Sequence, residues 1–360
     1  MPEIALPTAA KQDEILENLK VRNENGLALK KVTQKSLRKT NEYLSTEIYK
    51  YTVSQDYVYI MKKNKLLQLD ADTFNVVAEI KDVFYTGSYS AFMELDGDYL
   101  YTVTVGLNSV AKACSLKKID TRTFEIVKQI TFTSGATTIG DLTITDNYIC
   151  VVGQGSGGSS IFEKGDFTLY HAPTDLFGET TTFENDVLYS YLYNGGSGAL
   201  YKYDISTKTT KVVHDQKNIY TSGMYIDGDF LYLKTNQYLL KVNKSTLAQV
   251  SYLIPSYPIS SVTFVDTNNF KQINYSALNS SANGQTLISV SFSKITSDFE
   301  SEEIANIPLE EIAYTRSYLQ PTSPNFASLV VINDKYFYYQ DTSVILQFKY
   351  ITKHIGYEEV

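Results

Sequence analysis

Asp98-Tyr99-Leu100-Tyr101-Thr102-Val103-Thr104-Val105, a loop through Gly106-Leu107-Asn108-Ser109, then Leu116-Lys117-Lys118-Ile119-Asp120-Thr121-Arg122-Thr123-Phe124 running on to Ile130: this stretch decides the fold. A polar turn residue opens a run of alternating character, and a second run closes on an Asp-x-x-Thr turn. Alternation at period two marks half-buried antiparallel strands, and the Asp/Asn and Ser/Thr residues between them mark hairpins. The opening half recurs at Asp56-Tyr57-Val58-Tyr59, Asn147-Tyr148-Ile149-Cys150, Asp186-Val187-Leu188-Tyr189, Asp229-Phe230-Leu231-Tyr232 and Lys335-Tyr336-Phe337-Tyr338. The closing half recurs as Leu66-Leu67-Gln68-Leu69-Asp70, Leu200-Tyr201-Lys202-Tyr203-Asp204 and Leu240-Lys241-Val242-Asn243, and a degraded copy is expected near Asn269-Phe270.

Successive anchors from Asp56 to Asp229 lie 39 to 49 residues apart, the length of a four-stranded β-propeller blade. Residues 44–360 hold seven such units of about 45 residues. The expected fold is therefore all-β: a seven-bladed β-propeller over 44–360, preceded over 1–43 by a short N-terminal helix and an extended arm. The first unit starts with its own inner strand, Thr46 to Val53, and the last ends on an outer strand, Ile355 to Val360. No strand shared between the two chain ends is expected. In repeat length and strand pattern the region resembles WD40-like and quinoprotein-like seven-bladed propellers. It lacks the Gly-His and Trp-Asp dipeptides of the first and, with no tryptophan anywhere, the tryptophan motifs of the second. That resemblance implies architecture and no activity.

Composition narrows the chemistry. Hydrophobic residues make up 43 % of the chain and charged residues 20 %, which supports a sizeable core and excludes global disorder. No apolar run reaches the roughly 18 residues a membrane helix needs, and Met1-Pro2-Glu3-Ile4 lacks the basic start of a secretory signal. Two cysteines, Cys114 and Cys150, form neither a disulfide framework nor a zinc pair, so both are expected reduced and buried on strands. Three histidines, His171, His214 and His354, are scattered without a repeating acidic partner. No catalytic constellation emerges, and no metal or cofactor is expected. Net charge is −8, so an acidic body is a poor phosphate binder and no nucleic-acid partner is expected.

The tyrosines, 30 in all, recur at equivalent strand positions, such as Tyr57 with Tyr59 and Tyr99 with Tyr101. Repetition in every unit favours packing between sheets over stacking on a ligand. Asp70, Asp120, Asp204 and Asn243 share one turn position, where an Asx side chain caps backbone N–H groups two residues on; this is a better account of Asp70-Ala71-Asp72 than a calcium loop. The glycine clusters Gly153 to Ser160 and Asn194 to Gly198 enlarge the same connection in adjacent units, and Gly106 to Ser109 enlarges it in the unit before. Asn108, Ser109, Gln154, Ser156, Asn194 and Ser197, with Tyr191 and Tyr193 nearby, are therefore the candidate binding face.

The N-terminal 43 residues lie outside the repeat. Thr8 suits a helix cap, and Ala9, Ile15, Leu16 and Leu19 form a narrow apolar stripe at helical spacing. A basic segment follows, with Lys30, Lys31, Lys35, Arg38 and Lys39 among its charges. Stripe and lysines together are the expected partner-docking device. Leu6-Pro7-Thr8-Ala9-Ala10-Lys11-Gln12-Asp13 resembles a segment recurring near the N-termini of tailed-bacteriophage virion proteins. The resemblance implies a non-enzymatic component of a phage particle's tail, baseplate, fibre or head surface. The arm would anchor it to other virion proteins in multiple copies, after assembly in the host cytoplasm. The propeller would serve as adaptor, decoration or receptor-binding domain for a host-surface receptor or glycan, with no membrane contact. The alternative is a cellular sugar-binding or enzymatic β-propeller unrelated to a virion.

Overall fold

The computed structural model describes residues 21–22, 28–44, 48–62, 65–81, 91–105, 113–133, 138–154, 158–194, 197–215, 221–235 and 238–253. In the last third it describes 262–265, 274–280, 287–295, 301–308, 328–332, 336–341 and 344–359. Two strands come first, β1 (Val21–Arg22) and β2 (Ala28–Leu44). Sheet one is β3 (Ile48–Val53), β4 (Tyr57–Lys62), β5 (Lys65–Asp70) and β6 (Val76–Lys81). Sheet two is β7 (Ala91–Asp96), β8 (Tyr99–Val105), β9 (Ala113–Asp120) and β10 (Glu125–Thr133). Sheet three is β11 (Thr138–Ile144), β12 (Tyr148–Gln154), β13 (Ser160–Glu163) and β14 (Leu169–His171). Sheet four is β15 (Thr180–Glu184), β16 (Val187–Asn194), β17 (Ser197–Asp204) and β18 (Thr209–Asp215). Sheet five is β19 (Thr221–Asp227), β20 (Phe230–Thr235), β21 (Leu239–Asn243) and β22 (Gln249–Leu253). The next is β23 (Val262–Val265), β24 (Asn274–Ser280), β25 (Leu287–Ile295) and β26 (Ser301–Pro308). The last holds β27 (Ser328–Ile332), β28 (Tyr336–Asp341) and β29 (Val344–Glu359).

Each group is an antiparallel meander in chain order. The first strands of consecutive sheets touch, from β3 and β7 through to β23 and β27, so they form the inner wall of a ring. Antiparallel order places the first-to-second and third-to-fourth turns at one end of that ring, the turn end. Second-to-third connections and sheet-to-sheet crossings share the other, the loop end. The polar anchors named from the sequence stand immediately before β4, β8, β12, β16, β20 and β28. The degraded copy is displaced: its second strand begins at Asn274, past Asn269.

The core lies between sheets. Tyr59, Met61 and Leu66 of sheet one pack on Leu100, Ile119 and Phe124 of sheet two. Tyr101, Val103 and Leu116 then meet Ile149, Phe162 and Phe167 of sheet three. Tyr59, Tyr101 and Tyr203 are at most 1 % exposed, so the repeated strand tyrosines pack between sheets.

One turn device recurs at the turn end. Asp70 Oδ1 accepts the N–H groups of Asp72 (3.2 Å) and Thr73 (2.8 Å). Asp120 does the same for Arg122 and Thr123, Asp204 for Thr207, and Asn243 for Ser245 and Thr246. The hydroxyls of Thr73 and Ser206, together with those N–H bonds, hold the Asp70 and Asp204 carboxyls below their ordinary value, and the Arg122 side chain with the N–H bonds takes Asp120 down to about 2. The residue four places on, Phe74, Phe124, Lys208 or Leu247, then sits in the left-handed region. The residue after each Asp or Asn donates its N–H to the anchor carbonyl of the neighbouring hairpin, as Ala71 does to Asp56 and Thr121 to Asp98. One polar residue per anchor and one per turn therefore stitch sheets one, two, four and five alike, which is why the pattern is legible in the sequence.

The chain ends depart from expectation. Val344–Glu359 is one strand, where the sequence suggested a third and an outer strand, because Tyr350-Ile351-Thr352-Lys353-His354 contains no Asx or Gly turn. The outer place is taken by β2, paired antiparallel with β29 from Leu29↔Glu359 to Leu44↔Val344. The last sheet is thus five-stranded, β1-β2-β29-β28-β27, and the two ends of the chain share it. The boundary drawn at residue 43 runs through β2. The segment carrying Lys30, Lys31, Lys35, Arg38 and Lys39 is a strand of the ring rather than a linker, and Lys30 stands opposite Glu358. No helix occurs among the described residues; the expected helix, with Ala9, Ile15, Leu16 and Leu19, lies outside them.

Candidate functional site

At the loop end, sheets three and four approach with almost no side-chain spacing. A Cβ on Gly178 would fall 1.6 Å from Ser190 Oγ, and one on Gly140 would fall 1.7 Å from the Gly178 carbonyl oxygen. Only glycine permits this approach of backbone to backbone. Gly178 N–H donates to Gly153 O at 3.0 Å, and Ser190 Oγ donates to Phe177 O at 2.9 Å. Ser159 Oγ donates to Leu176 O at 2.7 Å and accepts Gly153 N–H at 3.1 Å. Gly153 and Gly158 are buried, so this part of the glycine cluster is a packing device rather than a hairpin tip.

The stacked glycines fix Glu179, the next residue, against the end of β12. Its N–H donates to Tyr191 O at 2.7 Å. Gln154 Nε2 donates to one of its carboxylate oxygens. The other oxygen is buried without a hydrogen-bond partner. Burial pushes the Glu179 carboxyl above its ordinary value, while Gln154 and the Tyr193 backbone N–H pull it partly back. Half-buried Gln154 and Tyr193 flank it, and Asn194 and Ser197 form the last pair of the adjoining β16–β17 ladder. The arrangement sets a carboxylate and an amide side by side where sheets three and four meet, while the Tyr193 ring packs with Tyr189, Tyr191 and Leu233 between sheets four and five.

Two more carboxylates line the inner wall beside it. Glu94 on β7 accepts Ile144 N–H of β11 at 3.1 Å. Asp141 on β11 accepts the N–H and the hydroxyl of Thr181 on β15, both at 2.8 Å, and its neighbour's N–H from Leu142 at 2.9 Å. Each carboxylate ties one inner strand to the next. Burial, reinforced by the Asp141 charge, pushes the Glu94 carboxyl up to about 8. Burial also raises Asp141, against the opposing pull of Thr181 and Lys50.

Of the sequence-derived face, Gln154 meets Glu179 through its side chain, Tyr193 meets it through its backbone N–H, and Asn194 and Ser197 are the last backbone pair of the β16–β17 ladder. Tyr191 does not join them at the surface. It is 2 % exposed, and its hydroxyl lies 1.8 Å from where a Gly198 Cβ would sit, so it is a wall of the core. Asn108, Ser109 and Ser156 lie outside the described residues. Sequence reading missed Glu94, Asp141 and Glu179. A signal existed for the first two, an acid in the middle of a largely apolar inner strand (Ala91–Asp96 and Thr138–Ile144). Cys114 and Cys150 are both free and buried, and burial pushes the Cys150 thiol up. Among the described residues no cluster of three His, Cys, Asp or Glu side chains is placed to hold a metal.

Ring, meander sheets and inter-sheet tyrosines define the chain as a β-propeller, and the solved structures agree. Kluyveromyces lactis Hsv2 superposes with a TM-score of 0.51 at 13 % identity, over 88 % of this chain and 99 % of that one. The form of Kluyveromyces lactis Hsv2 with complete loop 6CD gives a TM-score of 0.50 at 13 % identity, over 87 % and 100 %. At that identity the likeness shows the fold. No family model and no curated protein matches the sequence. These findings correct the phage reading: both Hsv2 structures are of yeast proteins, and nothing supports a virion, tail or baseplate origin. The eight residues that suggested it lie outside the described residues.

Proposed function

We propose that the chain is a cellular β-propeller of seven blades that binds a ligand rather than transforming one. Its binding site is the mouth between sheets three and four, and the ligand is hydroxyl-rich, such as a glycan. The observation that carries this reading is Glu179. A carboxylate oxygen without a hydrogen-bond partner, beside the half-buried amide of Gln154, matches the O–H donors of a sugar. The groups gathered there form hydrogen bonds, and none is a nucleophile set beside a base, which favours binding over catalysis. The seven sheets, each with an inner strand in one ring, support the blade count.

The test is a glycan array probed with the whole chain, followed by calorimetry on the best hit. Glu179→Gln removes a charged acceptor worth roughly 1.5–3 kcal/mol, so affinity falls about tenfold to a hundredfold, while Asp120→Asn at the turn end leaves it unchanged. No glycan bound by the wild-type chain, or equal affinity in the Glu179 variant, overturns the reading.

A further inference from the structure

The outer edge of each sheet exposes a row of unpaired backbone N–H and C=O groups, a template on which another strand can pair. Six outer strands interrupt that row with a β-bulge at a corresponding place. In the pairing registers, one residue is skipped at Thr40 in β2, Val77 in β6, Val127 in β10, Tyr170 in β14, Val250 in β22 and Ile304 in β26. A bulge bends and twists the edge and breaks its repeat. β18 alone has none: Thr209–Asp215 pairs with β17 in unbroken register from Asp204↔Thr209 to Gly198↔Asp215. A lysine on an edge strand also discourages pairing, but Lys211 turns aside, its Nζ donating to Ser245 O of sheet five at 3.2 Å. Thr210 Oγ1 on the same strand is buried without a hydrogen-bond partner.

From this we infer that β18 is a docking edge for an extended acidic peptide, which adds to sheet four as a fifth strand. The charge identifies the occupant. Between Asp204 and Asp215, the acid at the far end of β18, the sequence carries Lys208, Lys211 and His214 and no acid, on a chain whose net charge is −8; all three side chains are exposed. Lys208 is held in place over the Tyr170 ring, 4.4 Å from its centroid. A second copy of the same edge would bring Lys208 and Lys211 against themselves, whereas an acidic strand neutralises them. Main-chain bonds supply the affinity of such an addition, and alternate side chains its selectivity. Seven residues at about 3.3 Å each give an edge of roughly 23 Å, enough for a peptide of similar length.

The experiment uses the full chain and a labelled peptide, EVEVTVE, followed by fluorescence anisotropy. A matched peptide N-methylated at alternate residues removes strand donors without touching the protein. The unmodified peptide is expected to bind at least roughly tenfold more tightly than the methylated one, and to slow amide exchange in 209–215 but not in β10 or β22. Equal binding by both peptides overturns the inference, as does no binding up to about 1 mM or protection on another outer strand. Protection of 209–215 by self-association, with no peptide present, overturns the choice of occupant. Lys208→Glu with Lys211→Glu, both at the surface, is expected to weaken binding and to steepen neither unfolding nor aggregation.

Discussion

Replacing Glu94 by Gln removes the most perturbed carboxyl of the inner wall while keeping an acceptor for Ile144 N–H. In the folded chain this carboxyl titrates at about 8, against an ordinary value of 4.5. The unfolded chain therefore releases its proton between those values while the folded chain still holds it. Because the folded value is raised, the stability tied to that proton is fully present below pH 4.5 and is lost as pH rises through about 8. The gap, at roughly 1.4 kcal/mol per pH unit, amounts to about 5 kcal/mol between the two limits. The groups facing Glu94 are Asp141, Asp96 and Lys164, with the Cys150 thiol also within its field. The turn-end carboxylates of Asp70, Asp120 and Asp204, held low, act in the opposite sense in acid but are common to both proteins. Urea unfolding followed by far-UV circular dichroism from pH 5 to pH 9 should then show the two proteins converging at pH 5. At pH 9 the Gln variant should be the more stable by several kcal/mol. Parallel stability curves across that range would refute the claim that Glu94 is protonated in the folded ring.

Removing residues 1–44 deletes β2 and bares the outer edge of β29. Size-exclusion chromatography should show aggregation, or melting should fall by roughly 10 °C or more, a few kcal/mol at about 2–4 °C each; a monodisperse truncation with unchanged melting would refute ring closure by β2. Gly178→Ala should cost about 1–3 kcal/mol by overpacking against Ser190, measured by urea midpoint, and Ser190→Gly in the same chain should restore part of the loss. Asp120→Ala should lower the melting temperature, whereas Asp120→Asn should not, since Asn243 performs the same turn in sheet five. Equal melting of both Asp120 variants would show that the Asx bonds contribute nothing.

Repetition made the ring legible. Most blades solve the same local problem in the same way, so Asp or Asn stands before the second strand and at the end of the third in sheets one, two, four and five, and a tyrosine recurs where two sheets meet. These are short-range demands, written within about ten residues, and a sequence read alone displays them. Ring closure is a different kind of fact. β2 is polar and lysine-rich, with none of the alternation that marks the inner strands, and its pairing with β29 joins residues three hundred or more positions apart. Only the closed ring brings that edge within reach. The mouth between sheets three and four shows the same division. The glycines and Gln154, Tyr193, Asn194 and Ser197 were visible as an enlarged loop region. Glu179 was not, because its role depends on Gly178 lying against Ser190 so that its carboxylate meets Gln154 from the neighbouring sheet. The sequence by itself determined the all-β repeat and the placing of its turns, since those follow from the backbone needs of single hairpins. The tertiary structure alone decided which strand closes the ring, which carboxylates are buried and which edge stays open, because each depends on what a distant segment covers.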